Sequence, residues 1–144
     1  MERQNYQSSI AANFTPAEAF DAISHVNGWW VKDFEGSAEK VNDVFTVHFG
    51  ETFVTFKVTE GVFGKKIAWL VTDCYLPWLK DKTEWNGTTV LFEISTLGDE
   101  TQVTMTHIGL VPATECYAGC QAGWNKFFKG SLFKLLTEHD GVPQ

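Results

Sequence analysis

A chain of 144 residues, 44% hydrophobic and 15% aromatic, is long enough to bury a full core as one domain spanning residues 1–144. Its formal net charge of -7 speaks against nucleic acid and anionic membrane surfaces, both of which call for a basic face. No apolar run approaches the roughly 20 residues of a bilayer span. The N-terminal MERQNYQSSI lacks the basic and apolar stretches of a leader, so a cytoplasmic protein is expected. Three cysteines, Cys74, Cys116 and Cys120, are an odd number without framework spacing, which fits free thiols in a reducing compartment.

Gln4 to Ala12 is short and half apolar, and reads as a first or edge strand. Thr15-Pro16-Ala17-Glu18 then carries a helix start: Thr15 as N-cap, Pro16 at the first helical position, Glu18 closing a capping box. Ala19, Phe20 and Ile23 give that helix an apolar stripe, which Asn27-Gly28 ends, and Trp29-Trp30 predicts a second short helical turn. From Gly36 to Glu60 the period changes to two. Phe45, Val47 and Phe49 alternate, as do Val54, Phe56 and Val58, with a turn at Gly50-Glu51 between them. Gly61 to Gly64 is read as a loop and Lys66 to Cys74 as the next strand, with Ile67, Trp69 and Val71 on one face. Two further strands carry Val90, Phe92 and Ile94, then Val103, Met105 and His107, on either side of a turn at Gly98.

Two stretches break this rhythm. Tyr75 to Gly87 is non-periodic yet apolar, with Leu76, Trp78, Leu79 and Trp85 among charged residues. It is either a lid over a cavity, a patch for a protein partner, or a loop tucked against the sheet. From Ala113 to Gly141 the period is helical. Tyr117, Cys120, Trp124, Phe128, Ser131 and Leu135 form one stripe, flanked by Phe127 and Leu132, with Thr114 as expected N-cap and Gly141 as the residue after the C-cap. One long helix across a curved antiparallel sheet buries both apolar faces, so the expected class is α+β.

Several strings in this order resemble the START-related helix-grip (SRPBCC) superfamily, in its branch similar to the activator of heat-shock protein 90 ATPase. They are Thr15 to Ile23 with Gly28-Trp29-Trp30, Gly87 to Ile94, Thr101 to Leu110, and Gly123-Trp124 with Ser131-Leu132. The resemblance implies a helix-grip fold: a curved antiparallel sheet of six or seven strands around a long C-terminal helix, with two short helices after the first strand. It also implies a cavity between sheet and helix that holds a small apolar or amphipathic molecule. Two other roles go with the family: a co-chaperone-like interaction module, for which the Trp78–Trp85 loop would be the contact, and a polyketide cyclase or dehydratase.

Carried onto this chain, the cavity wall draws Trp69, Phe92, Met105 and His107 from the strands, with Trp30 at one end. The helix adds Tyr117, Cys120, Trp124 and Phe128. Gly119, Gly123 and Gly130 each cost a helix about 1 kcal/mol against Ala, which suits either close packing of rings or an opening. His107 would serve a ligand as hydrogen-bond partner or the core as a satisfied strut. Cys116 and Cys120 lack the second pair that zinc needs, and neither Asp73 nor Glu93 forms an acid/base dyad. The sequence therefore calls for no metal, no cofactor and no catalytic residue, and for a monomer or weak dimer.

Overall fold

The computed structural model describes residues 5–111 and 114–143, so Gln4 and Ala113 lie outside the described residues. Seven strands form one antiparallel sheet: β1 (Tyr6–Ala12), β2 (Phe34–Gly36), β3 (Val44–Phe49), β4 (Thr52–Val62), β5 (Lys66–Tyr75), β6 (Thr89–Leu97) and β7 (Glu100–Ile108). Their order, β1-β7-β6-β5-β4-β3-β2, places the first strand at one edge beside the last. The alternating residues face the core as their period requires: Val47, Phe56, Trp69, Val90, Phe92, Val103 and Met105 are all fully or almost fully buried. β4 runs on to Val62, past the expected loop at Gly61, because Gly61 and Val62 pair with Ile67 and Lys66.

Between β1 and β2 lies α1 (Pro16–Ser24). Its capping box is complete: the Thr15 hydroxyl accepts from the Glu18 N–H at 3.0 Å, and the Thr15 N–H donates to the Glu18 carboxylate at 2.8 Å. The second short helical piece is a 3₁₀ turn at Val26–Gly28, just before the expected Trp29-Trp30, which follow it as buried turn residues.

The C-terminal helix packs across the sheet in three continuous pieces: α2 (Tyr117–Trp124), a π-helical segment (Asn125–Leu132) and α3 (Phe133–Glu138). Both expected ends move. The Thr114 hydroxyl donates to the Val111 carbonyl and caps nothing; the N-cap position is Cys116, whose N–H, with that of Glu115, donates to the carboxylate of Glu84 from another loop. At the far end the left-handed residue is His139 (φ 59°), two before Gly141. Gly141 instead lies against the Gly28 carbonyl, where a Cβ would collide.

The buried stripe also departs from strict α period. It holds through Cys120, Trp124 and Phe128, then passes to Leu132 and Leu136, leaving Leu135 half-buried. Trp124 and Leu136 are twelve residues apart, whereas three α-turns take about 11. The wide π turns absorb the excess and allow Phe127 and Phe128, adjacent in sequence, both to be buried. Among the described residues no helix is long and apolar enough to cross a membrane.

Candidate functional site

The centre of the molecule is filled. Trp69 sits in a cluster of rings, parallel to Trp30 (2° between planes, centroids 6.3 Å) and edge-on to Phe92 and Phe45 (4.9 and 5.0 Å). Phe92, Met105 and Phe128 are fully buried around it. These four, expected on a cavity wall, are packed core, because large rings from both layers meet and interdigitate across the space.

His107 belongs to the same solid region. Its Nδ1 accepts the indole N–H of Trp124 at 3.1 Å, so the remaining proton is on Nε2, which donates to the Thr88 hydroxyl at 2.9 Å. Thr88 donates in turn to the Trp85 carbonyl at 2.7 Å, and the Trp85 ring stands edge-on to the imidazole at 4.6 Å. Every polar atom of this chain of bonds has a partner, and no carboxylate takes part. Burial pushes the His107 pKa down to about 3, so the ring is neutral at ordinary pH. The expected alternative of a ligand-orienting histidine gives way to that of a strut joining β7, the helix and the loop after β5. Tyr117 is half-buried and likewise outside the cavity wall.

Open space lies to one side of this core. A cavity of about 190 Å³ sits under the start of the C-terminal helix, where α2 supplies Gly119, Cys120, Gly123 and Trp124. The β3–β4 hairpin contributes Phe49, Thr52 and Val54; the loop after β5 contributes Leu76, Trp78 and Trp85. Trp30 and Phe127 complete the wall. No charged side chain lines it, and the Thr52 hydroxyl is its one side-chain oxygen. A Cβ built on Gly119 or Gly123 would meet nothing within 4 Å, so the glycines expose helix backbone to open space.

The loop that closes the cavity is folded inward. Leu76, Leu79 and Trp85 are buried, and Trp78 alone of its aromatic and aliphatic side chains is well exposed, at 57%. The extended partner patch expected over Trp78–Trp85 is thus reduced to one ring, because the others pack onto the helix and the sheet. Two carboxylates fasten the loop down. Glu84 accepts the N–H groups of Glu115 and Cys116, each at 3.0 Å, and Glu115 accepts the N–H of Lys80 at 2.9 Å. Cys116 and Cys120, expected as free thiols, are both buried and joined as a disulfide, with Cα atoms 5.5 Å apart. Cys74 is free and buried, and burial pushes its thiol pKa up.

Of the residues expected around a ligand, then, Trp30, Cys120 and Trp124 come together on the wall. The hairpin residues were missed, and the loop residues were expected only as one of three alternatives, a lid. Their signal was present in the apolar content of a loop without period and in two glycines one turn apart.

No protein-family model matches the chain, and neither does any curated protein sequence. Solved structures do. The chain is similar to the Aha1 dimer from Colwellia psychrerythraea, with TM-score 0.76 and 24% identity over 92% of this chain and 96% of that one. It is similar to protein MLL2253 from Mesorhizobium loti, with TM-score 0.70 and 18% identity over 94% and 99% of the two chains. A third likeness is CalU16 from Micromonospora echinospora, with TM-score 0.65 and 11% identity over 89% and 78%. What is shared at such identities is the fold. The chain has the α+β helix-grip architecture, a curved seven-stranded antiparallel sheet with its C-terminal helix, in common with Aha1.

Proposed function

We propose that this protein binds a small, largely apolar molecule in the cavity between the sheet and the start of the C-terminal helix. The observation that carries the reading is an apolar space kept open over Gly119 and Gly123, at positions where alanine would favour the helix more. Apolar walls with few polar groups are the usual make-up of small-molecule sites. The closing loop acts as a lid. A cyclase-like reaction has less support, since His107 is sealed in the core with both nitrogens occupied by Thr88 and Trp124.

A second reading, contact with another protein or a second copy through the lid, is favoured by two observations. Trp78 is exposed at the cavity rim, and one similar structure is a dimer. It extends the first reading, because Trp78 also lines the cavity.

The test is titration with nitrobenzene, a non-emitting ring that quenches indole emission, followed by tryptophan fluorescence, since Trp30, Trp78, Trp85 and Trp124 all line the space. Saturable quenching is expected in the native protein and none in Gly123→Leu, whose side chain fills the cavity. Quenching that never saturates, or that persists in Gly123→Leu, would sink the reading. Native mass spectrometry of protein from its own cells would then give the mass of the resident molecule.

A further inference from the structure

The disulfide joins two parts of the candidate site. Cys116 is the N-cap position of α2, and its N–H, with that of Glu115, is held by Glu84 from the lid. One turn on, Cys120 lines the cavity beside Gly119. The Cys116–Cys120 bond therefore closes the first turn of the helix, where the lid is fastened and the wall begins.

The two halves of the pair have different surroundings. Cys116 is 2% exposed and off the cavity wall, whereas Cys120 is 8% exposed and borders open space. Reduction turns a bond of about 2 Å into a contact between unbonded atoms of about 3.5–4 Å. Around Cys116 the core is closed, and a close-packed interior resists such expansion. On the Cys120 side there is room, and that room is the cavity. Reduction thus narrows a space of about 190 Å³ and also releases the turn to which the lid is fastened. Both changes act against a bound molecule.

Building on the binding role proposed above, we propose that the Cys116–Cys120 pair is a redox switch on the cavity. The site holds its ligand tightly when the disulfide is closed and weakly when it is reduced. The closing step is thiol–disulfide exchange with a small uncharged disulfide, since no charged side chain lines the cavity to receive an ionic one. One cysteine thiolate attacks the reagent and displaces its first thiol; the other cysteine then attacks the mixed disulfide and displaces the second. One S–S bond is lost from the reagent and one is gained by the protein, and the two cysteine protons leave on the two released thiols. Coupling is reciprocal, so a ligand that prefers the closed form draws the pair toward oxidation by the same factor.

The test titrates nitrobenzene into native protein whose pair has been closed with 2-hydroxyethyl disulfide or opened with dithiothreitol, each reagent being removed first. Alkylation of the denatured protein with N-ethylmaleimide counts the thiols: Cys74 alone in the closed form, all three cysteines in the open one. The expected result is binding at least fivefold weaker in the open form. Equal affinities overturn the switch while leaving the cavity as a binding site. Absence of saturable binding in the closed form overturns both proposals. Three labelled cysteines after treatment with the oxidant also reject the switch, because the pair then does not close. Cys116→Ser cannot form the bond and should bind alike with and without dithiothreitol; a reductant effect that persists there does not come from the pair. Should that variant misfold, Cys74→Ala decides: a retained response to dithiothreitol supports the pair, and a lost one rejects it.

Discussion

Two neighbouring regions share Trp85 and Trp124 yet are built on opposite terms. On one side is the His107 node, rich in polar atoms and without space, where each donor meets an acceptor. On the other is the cavity, with space and almost no polar side-chain atoms. A histidine in an aromatic core attracts a functional reading, but its completed bonds make it part of the frame. The open region is the better candidate for function, since a ligand has space to fill there.

The sharpest way to break this contrast is at the residue common to both. Trp124→Ala removes a buried ring from the helix and strips His107 of a donor, and should cost about 3–5 kcal/mol in urea unfolding. A near-neutral result would mean that the helix does not depend on the node. His107→Ala comes next, at about 2–4 kcal/mol, because it leaves the Trp124 N–H unpartnered and takes from the Thr88 hydroxyl its donor. If His107→Ala were instead as stable as the native protein but blind to ligand, the roles assigned to the two regions would be reversed.

The node also predicts a pH dependence. His107 titrates near 3 when folded and near 6.5 when unfolded, so between those values the unfolded chain binds the extra proton. Stability contributed by the neutral ring is complete above about pH 6.5 and falls as pH drops toward 3, by at most about 1.4 kcal/mol per pH unit. Comparing the native protein with His107→Gln over that window isolates it; identical slopes would contradict the burial of a neutral ring.

Milder changes sharpen the other side. Gly119→Ala should stabilise the helix by up to about 1 kcal/mol while narrowing the cavity and weakening probe binding. Opposite movement of melting temperature and affinity is the expected signature. Smallest is Glu84→Gln, which removes a charge from the two N–H groups at the helix start and should cost about 0.5–1 kcal/mol. Faster amide exchange at Glu115 and Cys116 would report it, and unchanged exchange would show that the lid is held elsewhere.

Periodicity explains what was legible beforehand. Strand alternation at Phe45 to Val58 and at Val90 to His107 placed the sheet, and the capping box at Thr15 placed the first helix, because both signals are local. Which inward residues would meet each other and which would face a gap was not local. Trp69 and Phe92 face inward like Phe49 and Val54, yet the first two are enclosed by rings from other elements and the latter two border open space. The helix start failed for the same reason. The backbone leading into it is held by Glu84, about thirty residues upstream, so Thr114 looked suitable only while that partner was out of view. The disulfide has no spacing signature of its own, since a four-residue separation occurs in any helix.

The π-helical segment has a consequence for insertions and deletions. The chain carries one residue more than three α-turns need between Trp124 and Leu136, and the exposed Lys129 and Gly130 lie within the bulge. Deleting Gly130 would let an ordinary α-helix join the same two anchors, with Trp124 under the lid and Leu136 in the core as before. A single-residue deletion, elsewhere in a packed helix a cause of misregister, is here one that the fold can absorb.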